Sequence, residues 1–315
     1  MKTIQAELEN MQLPLMDNEF KRIKNHYKNF DLNKLPNLIK NMDSESINQV
    51  KKATDKISYI LKNYEKEIKQ LEKELVTESE FLDIAKKWQK FIDNVKFENG
   101  YTLYGNYKLP VNMLEYSVFV DKHQIDEIEN LESVKNKNII DVGGFIGDSA
   151  LILSPLTNKK VYSFEIEPNN YKYLKETIDI NHLNNVVALN LALGDKNDNI
   201  SINSMGSGTT IDVNKTDDST YSQITLDNFV KDNHNLQIGL IKVDIEGYEM
   251  NFLRGAINTI REQKPILLIS IYHNWNDYSG IKPYIESLDL GYKFKIRALS
   301  IATCISETVL ICEVI

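Results

Sequence analysis

Several features that would place a chain quickly are scarce or missing in this sequence of 315 residues. Cysteine is almost absent. Cys304 and Cys312 are the only two, and their spacing is neither a disulfide framework nor a metal-ligand motif, so two free thiols in or near strands are expected. No apolar run reaches about 18 residues, which excludes a helical membrane span. The opening stretch MKTIQAELEN carries charges where a secretory leader needs an apolar segment, so a cytoplasmic protein is expected. Positive charge is short as well: 37 Lys and Arg face 45 Asp and Glu, for a net charge of -8. Residues 1–137 hold 22 of the bases and 23 of the acids, leaving 15 against 22, or -7, for the remainder. Enzymes that act on nucleic acid show the opposite sign, because phosphate contacts dominate their affinity. The expected partner is a small molecule or a glycan, with no nucleic acid.

Glycine is sparse too, yet Gly143, Gly144 and Gly147 fall together in N-I-I-D-V-G-G-F-I-G-D, residues 138–148. Asn138–Val142 reads as a buried parallel strand that contains a carboxylate, Asp141, and Asp148 opens an expected helix. Strand, glycine turn and helix form the nucleotide-admitting unit of open α/β sheets. A dinucleotide fingerprint requires G-x-G-x-x-G, and Val142 stands where its first glycine belongs. That counts against a nicotinamide-dependent oxidoreductase.

Upstream, Ile47, Val50, Thr54, Ile57, Leu61, Tyr64, Ile68, Leu71 and Leu75 alternate spacings of three and four. This is coiled-coil periodicity, and a continuous helix over 44–76 would be about 50 Å long. It pairs either with a second helix of the same chain, carrying Phe81, Ile84, Trp88 and Phe91, or between chains as a homo-oligomer. A helical region over 1–97 and a second domain over 98–315 are expected. Tyr101–Pro110 suggests a hairpin, and 124–134 a helix leading into the first strand.

Beyond the glycine turn, strands are expected at 160–166, 185–193, 238–245 and 265–272, with helices at 169–181, 249–263 and 281–290. The closely joined runs 292–299 and 307–314 suggest an antiparallel pair at the sheet edge. The fold class is therefore α/β, a seven-stranded, mostly parallel, Rossmann-like sheet with an α-helical N-terminal extension. Asn203–Thr210, rich in glycine and hydroxyls, reads as a mobile loop over the site.

Four acids and a histidine stand at strand ends. Glu165 and Glu167 follow the second strand, where a carboxylate accepts hydrogen bonds from ribose hydroxyls; Glu165 is preferred, since Glu167 precedes Pro168 and a helix. Asp244 closes the fourth strand, where its charge is costly without a partner. That strand lies beside the first across the switch point, so Asp244 is the expected catalytic carboxylate. Glu246 is a second choice, and Glu249 is explained by helix polarity alone. His273 follows the fifth strand and is a candidate base toward the acceptor.

Asp141-Val-Gly-Gly-Phe-Ile-Gly, Ser163-Phe-Glu, Leu191-Ala-Leu-Gly, Thr225-Leu-Asp and Ile241-Lys-Val-Asp-Ile-Glu-Gly-Tyr-Glu occur in order at matching distances. Together they resemble the FkbM-type family of S-adenosylmethionine (SAM)-dependent methyltransferases, class I enzymes that mostly methylate oxygen. The resemblance covers about residues 138–314. It implies SAM as cofactor, held by Asp141, Gly143, Gly144, Phe145, Gly147, Asp148 and Glu165, with Asp244 near the methyl group. Catalysis would then fall to Asp244, His273 and Glu246, with no metal called for. Phe145 stands where the family often has Asn, and Ile166 where it often has Pro. A non-catalytic scaffold with a degenerate methyltransferase domain is the other alternative.

Overall fold

Each apolar run becomes a strand because helices cover both faces of the sheet it joins. The computed structural model describes residues 14–203, 210–212, 221–234 and 236–315. Among the described residues five α-helices come first: Pro14–His26 (α1), Leu35–Ile39 (α2), Ser44–Lys62 (α3), Ile68–Leu75 (α4) and Glu78–Ile92 (α5). Val95–Glu98 (β1), Tyr101–Tyr104 (β2) and Tyr107–Leu109 (β3) form an antiparallel meander, and the short helix Tyr116–Phe119 (α6) follows.

The main unit then alternates: Asn138–Val142 (β4), Asp148–Leu153 (α7), Val161–Phe164 (β5), Pro168–Ile180 (α8) and Val186–Leu189 (β6). A small second sheet comes next, from Ala192–Leu193 (β7), Asp198–Asn203 (β8), Thr210–Asp212 (β9) and Tyr221–Ile224 (β10). Leu226–Asp232 (α9), Ile238–Val243 (β11), Glu249–Gly255 (α10), Ile257–Gln263 (α11), Ile266–Ser270 (β12) and Trp275–Ser287 (α12) lead to the closing pair Lys293–Arg297 (β13) and Val309–Glu313 (β14). The main sheet runs β13-β14-β12-β11-β4-β5-β6. β14 is antiparallel to both neighbours, and the remaining pairs are parallel. β4 and β11 lie side by side at the centre, so their C-terminal ends open one crevice.

Three expectations are corrected. The helix over 44–76 is two helices, parted at 63–67, where Asn63 caps α3 and Glu67 precedes α4. Tyr64, counted in the heptad seam, is 49% exposed, whereas Val50, Thr54, Ile57 and Leu71 are buried. Val50, Ile57 and Leu71 pack into the chain's own core with Phe20, Ile23, Tyr27 and Phe294, and each fully buried aliphatic contributes about 1.5–3 kcal/mol. The helix expected over 124–134 is instead two short 3-10 segments, 122–127 and 131–134. The single strand expected at 185–193 divides between two sheets.

Buried polar contacts tie the N-terminal helices to the last hairpin. Arg297 reaches Glu127 at 2.8 Å and Ser46 at 2.9 Å, and Ser46 Oγ accepts the Ile296 N–H. Glu19 on α1 accepts backbone N–H groups from Thr303, Cys304, Ile305 and Ser306. Cys304 and Cys312 are free and buried. Among the described residues no helix is long and apolar enough to cross a membrane. The loop expected to cover the site lies mostly outside the described residues.

Candidate active site

Gly143 sits at φ +83, and a Cβ there would meet the Asp244 carbonyl oxygen at 1.9 Å. Only glycine lets the turn after β4 pass so close to the end of β11. Gly144 faces the other way: a Cβ would strike Ser163 Oγ at 2.1 Å. Gly147 is pressed against Leu174 and Thr177 of α8. Gly144 and Gly147 therefore serve close packing, and of the three glycines Gly143 alone borders a cavity.

Two cavities meet at this turn. The smaller, about 70 Å³, is lined among others by Val142, Phe164, Glu165, Leu191 and Leu193. The larger, about 310 Å³, takes in Asp148, Lys242, His123, Tyr272 and Trp88. Gly143, Phe145, Asp244 and Glu246 line both.

Glu165 Oε2 accepts the Phe145 N–H at 2.9 Å and its Oε1 the Glu167 N–H at 2.8 Å. Burial pushes its carboxyl up to about 7, against the pull of those two N–H groups. Glu167 instead caps α8, accepting the Asn170 N–H at 2.8 Å. Asp141 departs from the role expected of it. It is fully buried and lines neither cavity, accepting hydrogen bonds from Ser149 Oγ at 2.8 Å and Ser163 Oγ at 2.7 Å. Lys242 Nζ stands 3.4 Å from it and donates to the Gly143 carbonyl at 2.8 Å. Asp141 and Lys242 thus brace the glycine turn from below. Asp148 does reach the larger cavity, where burial raises its carboxyl to about 6 and Oδ2 has no hydrogen-bond partner among the described residues.

The ends of β11 and β12 bring together the three residues expected to be catalytic. His273 Nε2 lies 3.2 Å from Asp244 and 3.5 Å from Glu246, and Nδ1 lies 3.0 Å from Glu249. Burial pushes the imidazole down, but the charge of Glu249 and then the Asp244 and Glu246 carboxylates outweigh it and hold it well above its usual value. Burial acts upward on Asp244, where contact with His273 and the Lys242 charge prevail and hold the carboxyl below its usual range. His273 lines neither cavity, so it does not meet an acceptor there. Glu249 is not merely a helix-polarity acid: it is fully buried, accepts the Ile245 N–H at 2.9 Å and faces His273. Asp244, Glu249 and His273 form a set whose ligand atoms could hold a metal ion.

Other lining residues gave no signal in sequence. Arg22 of α1 lies over the Tyr272 ring at 4.5 Å. His123 is held at φ +47 between Lys122 and Gln124, themselves at +46 and +64. Burial and then Lys242 push its imidazole down to about 3. Glu307, at φ +51, is raised to about 7 by burial and by the Asp244 charge. Asp227, from the Thr225-Leu-Asp motif, binds the Asn258 and Thr259 N–H groups at the start of α11 and stays away from the crevice.

A glycine turn after the first strand of this sheet, beside acids closing its second and fourth strands, defines a class I methyltransferase fold. Residues 141–294 match the family model of the methyltransferase FkbM domain. A methyltransferase FkbM from Methylobacillus flagellatus KT is similar in structure, with 16% identity and a TM-score of 0.56. The match covers 89% of this chain and 58% of that one, so this chain spans less than two thirds of its relative. More distant in shape are an rRNA methylase from Streptococcus thermophilus (12% identity, 64% and 99% covered, TM-score 0.39) and M. jannaschii TYW2 in complex with AdoMet (17%, 69% and 82%, 0.31). Comparison with curated protein sequences gave no significant match.

Proposed function

We propose that this chain is a cytoplasmic enzyme that transfers a methyl group from SAM to a hydroxyl of a glycan or small-molecule acceptor. The meeting of the two cavities at Gly143, Phe145, Asp244 and Glu246 carries the reading, since it supplies adjoining spaces for a cofactor and an acceptor. The residues fit SAM: Glu165 suits a ribose diol, and the unpartnered Asp148 Oδ2 suits an ammonium group. The cofactor supplies an electrophilic methyl on a sulfonium, so the protein has to position rather than activate it. Alignment of acceptor and donor is worth roughly 7–11 kcal/mol. Glu246 lies on the shared wall and is placed to take the hydroxyl proton, a role worth about 10²–10⁴ in rate. Asp244, closing β11 beside the turn, orients the reacting groups. The acidic balance of this half supports an acceptor without a phosphate backbone.

Calorimetry with SAM, S-adenosylhomocysteine and NAD, run side by side, tests the cofactor. Binding of the first two without NAD is expected, and the reverse would move the chain to the oxidoreductases. Mass spectrometry of host extract incubated with labelled SAM then identifies the acceptor. Label appearing only in RNA would overturn the acceptor class, and SAM binding with no label transferred would favour the scaffold.

A further inference from the structure

We propose that Asp244, Glu249 and His273 form a binding site for one divalent transition-metal ion. One ligand atom from each lies within 4.8 Å of the others, with Asp244 18% exposed and the other two buried. The short His273 distances are ion-pair contacts to the surrounding carboxylates. Both ring nitrogens lack an aligned partner among the described residues although the side chain is only 4% exposed, and so does the buried Glu249 Oε2. Buried polar atoms without an aligned partner are costly unless something binds them.

The charge count points the same way. Asp244, Glu246 and Glu249 surround one imidazole, and Asp277 is buried next to Glu249. The nearby Lys242 is committed to Asp141 and the Gly143 carbonyl. A divalent ion that displaces the imidazole proton brings these carboxylates more positive charge than the imidazolium does. Such an ion sits about 2.0–2.2 Å from imidazole nitrogen and carboxylate oxygen. Glu246 is a non-glycine residue at φ +55, a strained geometry that turns its carboxylate toward the same imidazole as a fourth group. One nitrogen with carboxylate oxygens suits Mn²⁺, Fe²⁺ or Zn²⁺, whereas Mg²⁺ and Ca²⁺ prefer oxygen alone. Asp244 and Glu246 line both cavities, so the ion's open position faces the crevice. The inference rests on side-chain placement and holds whatever reaction the crevice performs.

The full chain, stripped with a chelator, is titrated with MnCl₂, ZnCl₂ and MgCl₂ by calorimetry. One site is expected, with Mg²⁺ at least tenfold weaker. Pulsed electron paramagnetic resonance of the Mn²⁺-loaded wild type is expected to show ¹⁴N coupling from one imidazole. His273→Gln and Glu249→Gln, if their circular-dichroism melts remain cooperative, are expected to weaken Mn²⁺ by about 100-fold, the upper end of losses from support residues. If those buried variants do not fold, Asp244→Asn carries the same expectation. Stripped wild type that binds neither Mn²⁺ nor Zn²⁺ would overturn the proposal and leave His273 a buried imidazolium. Mn²⁺ bound without nitrogen coupling, or folded variants with wild-type affinity, would overturn it equally.

Discussion

The smaller cavity takes every lining residue from between Val142 and Glu246, whereas the larger also draws Glu19, Arg22, Trp88, Glu115, His123 and Glu307 from outside the family-matched span. The first is made at the ends of adjacent strands, by a turn and by acids whose places the sheet dictates. The second is made where helices and loops far apart in sequence converge on those strand ends. The difference separates what the family-matched span builds by itself from what the rest of the chain contributes. On the proposed reading, the ribose end of the cofactor belongs to the first, while its ammonium end, at Asp148, and the acceptor belong to the second.

Mutations can break that division or sharpen it. Asp141→Ala is expected to act through the fold, because it leaves Lys242 buried without its counter-charge. Urea unfolding should show a loss of about 3–5 kcal/mol. A stable Asp141→Ala protein that had lost only SAM affinity would return Asp141 to the cofactor. Asp244→Asn strikes the wall common to both cavities, and label transfer from SAM in host extract should fall about 10²–10³-fold. Unchanged transfer would leave Asp244 as a structural acid. Glu165→Ala touches the smaller cavity only, and calorimetry should find SAM weaker by about 1.5–3 kcal/mol.

The pH dependence of Glu165 is the next largest effect. Its carboxyl is held at about 7 when folded and titrates near 4.5 when unfolded, so the native state binds the extra proton between those values. Its contribution to stability therefore falls as pH rises from 4.5 to 7. Ribose binding by the ionised form runs oppositely, and S-adenosylhomocysteine should weaken by up to about tenfold from pH 7 to pH 6. Glu165→Gln should flatten both profiles. Arg22→Gln is the mildest toward the cofactor: SAM affinity should stay within about twofold while transfer falls by about tenfold. A matching loss of SAM affinity would erase the division between the cavities.

Legibility in the sequence followed the same line. The central strands were readable because β11 and β12 are apolar runs buried on both faces. Glu165 and Asp244 were readable because strand ends fix their positions. α12 begins at Trp275, six residues before the expected start, since Gly280 and Pro283 inside it read as breakers. The small sheet was missed because strands such as Asp198–Asn203 are short and polar. The heptad pattern of 44–76 described a real buried stripe but said nothing of what would bury it, and the chain's own core does so. Arg22 was invisible because its partner, Tyr272, lies 250 residues away and no local pattern encodes that meeting.

The clasp of Glu19 on residues 303–306 bears on how the protein is made. The partners are separated by up to 287 positions, and the loop being clasped leads directly into Glu307 at the cavity rim. A nascent chain on the ribosome can complete β4, β5 and the glycine turn while its last hairpin is still unsynthesised. It cannot close the rim of the larger cavity until residues 303–307 have been made. During synthesis, the smaller cavity, lined by residues no later than Glu246, can therefore form before the larger one.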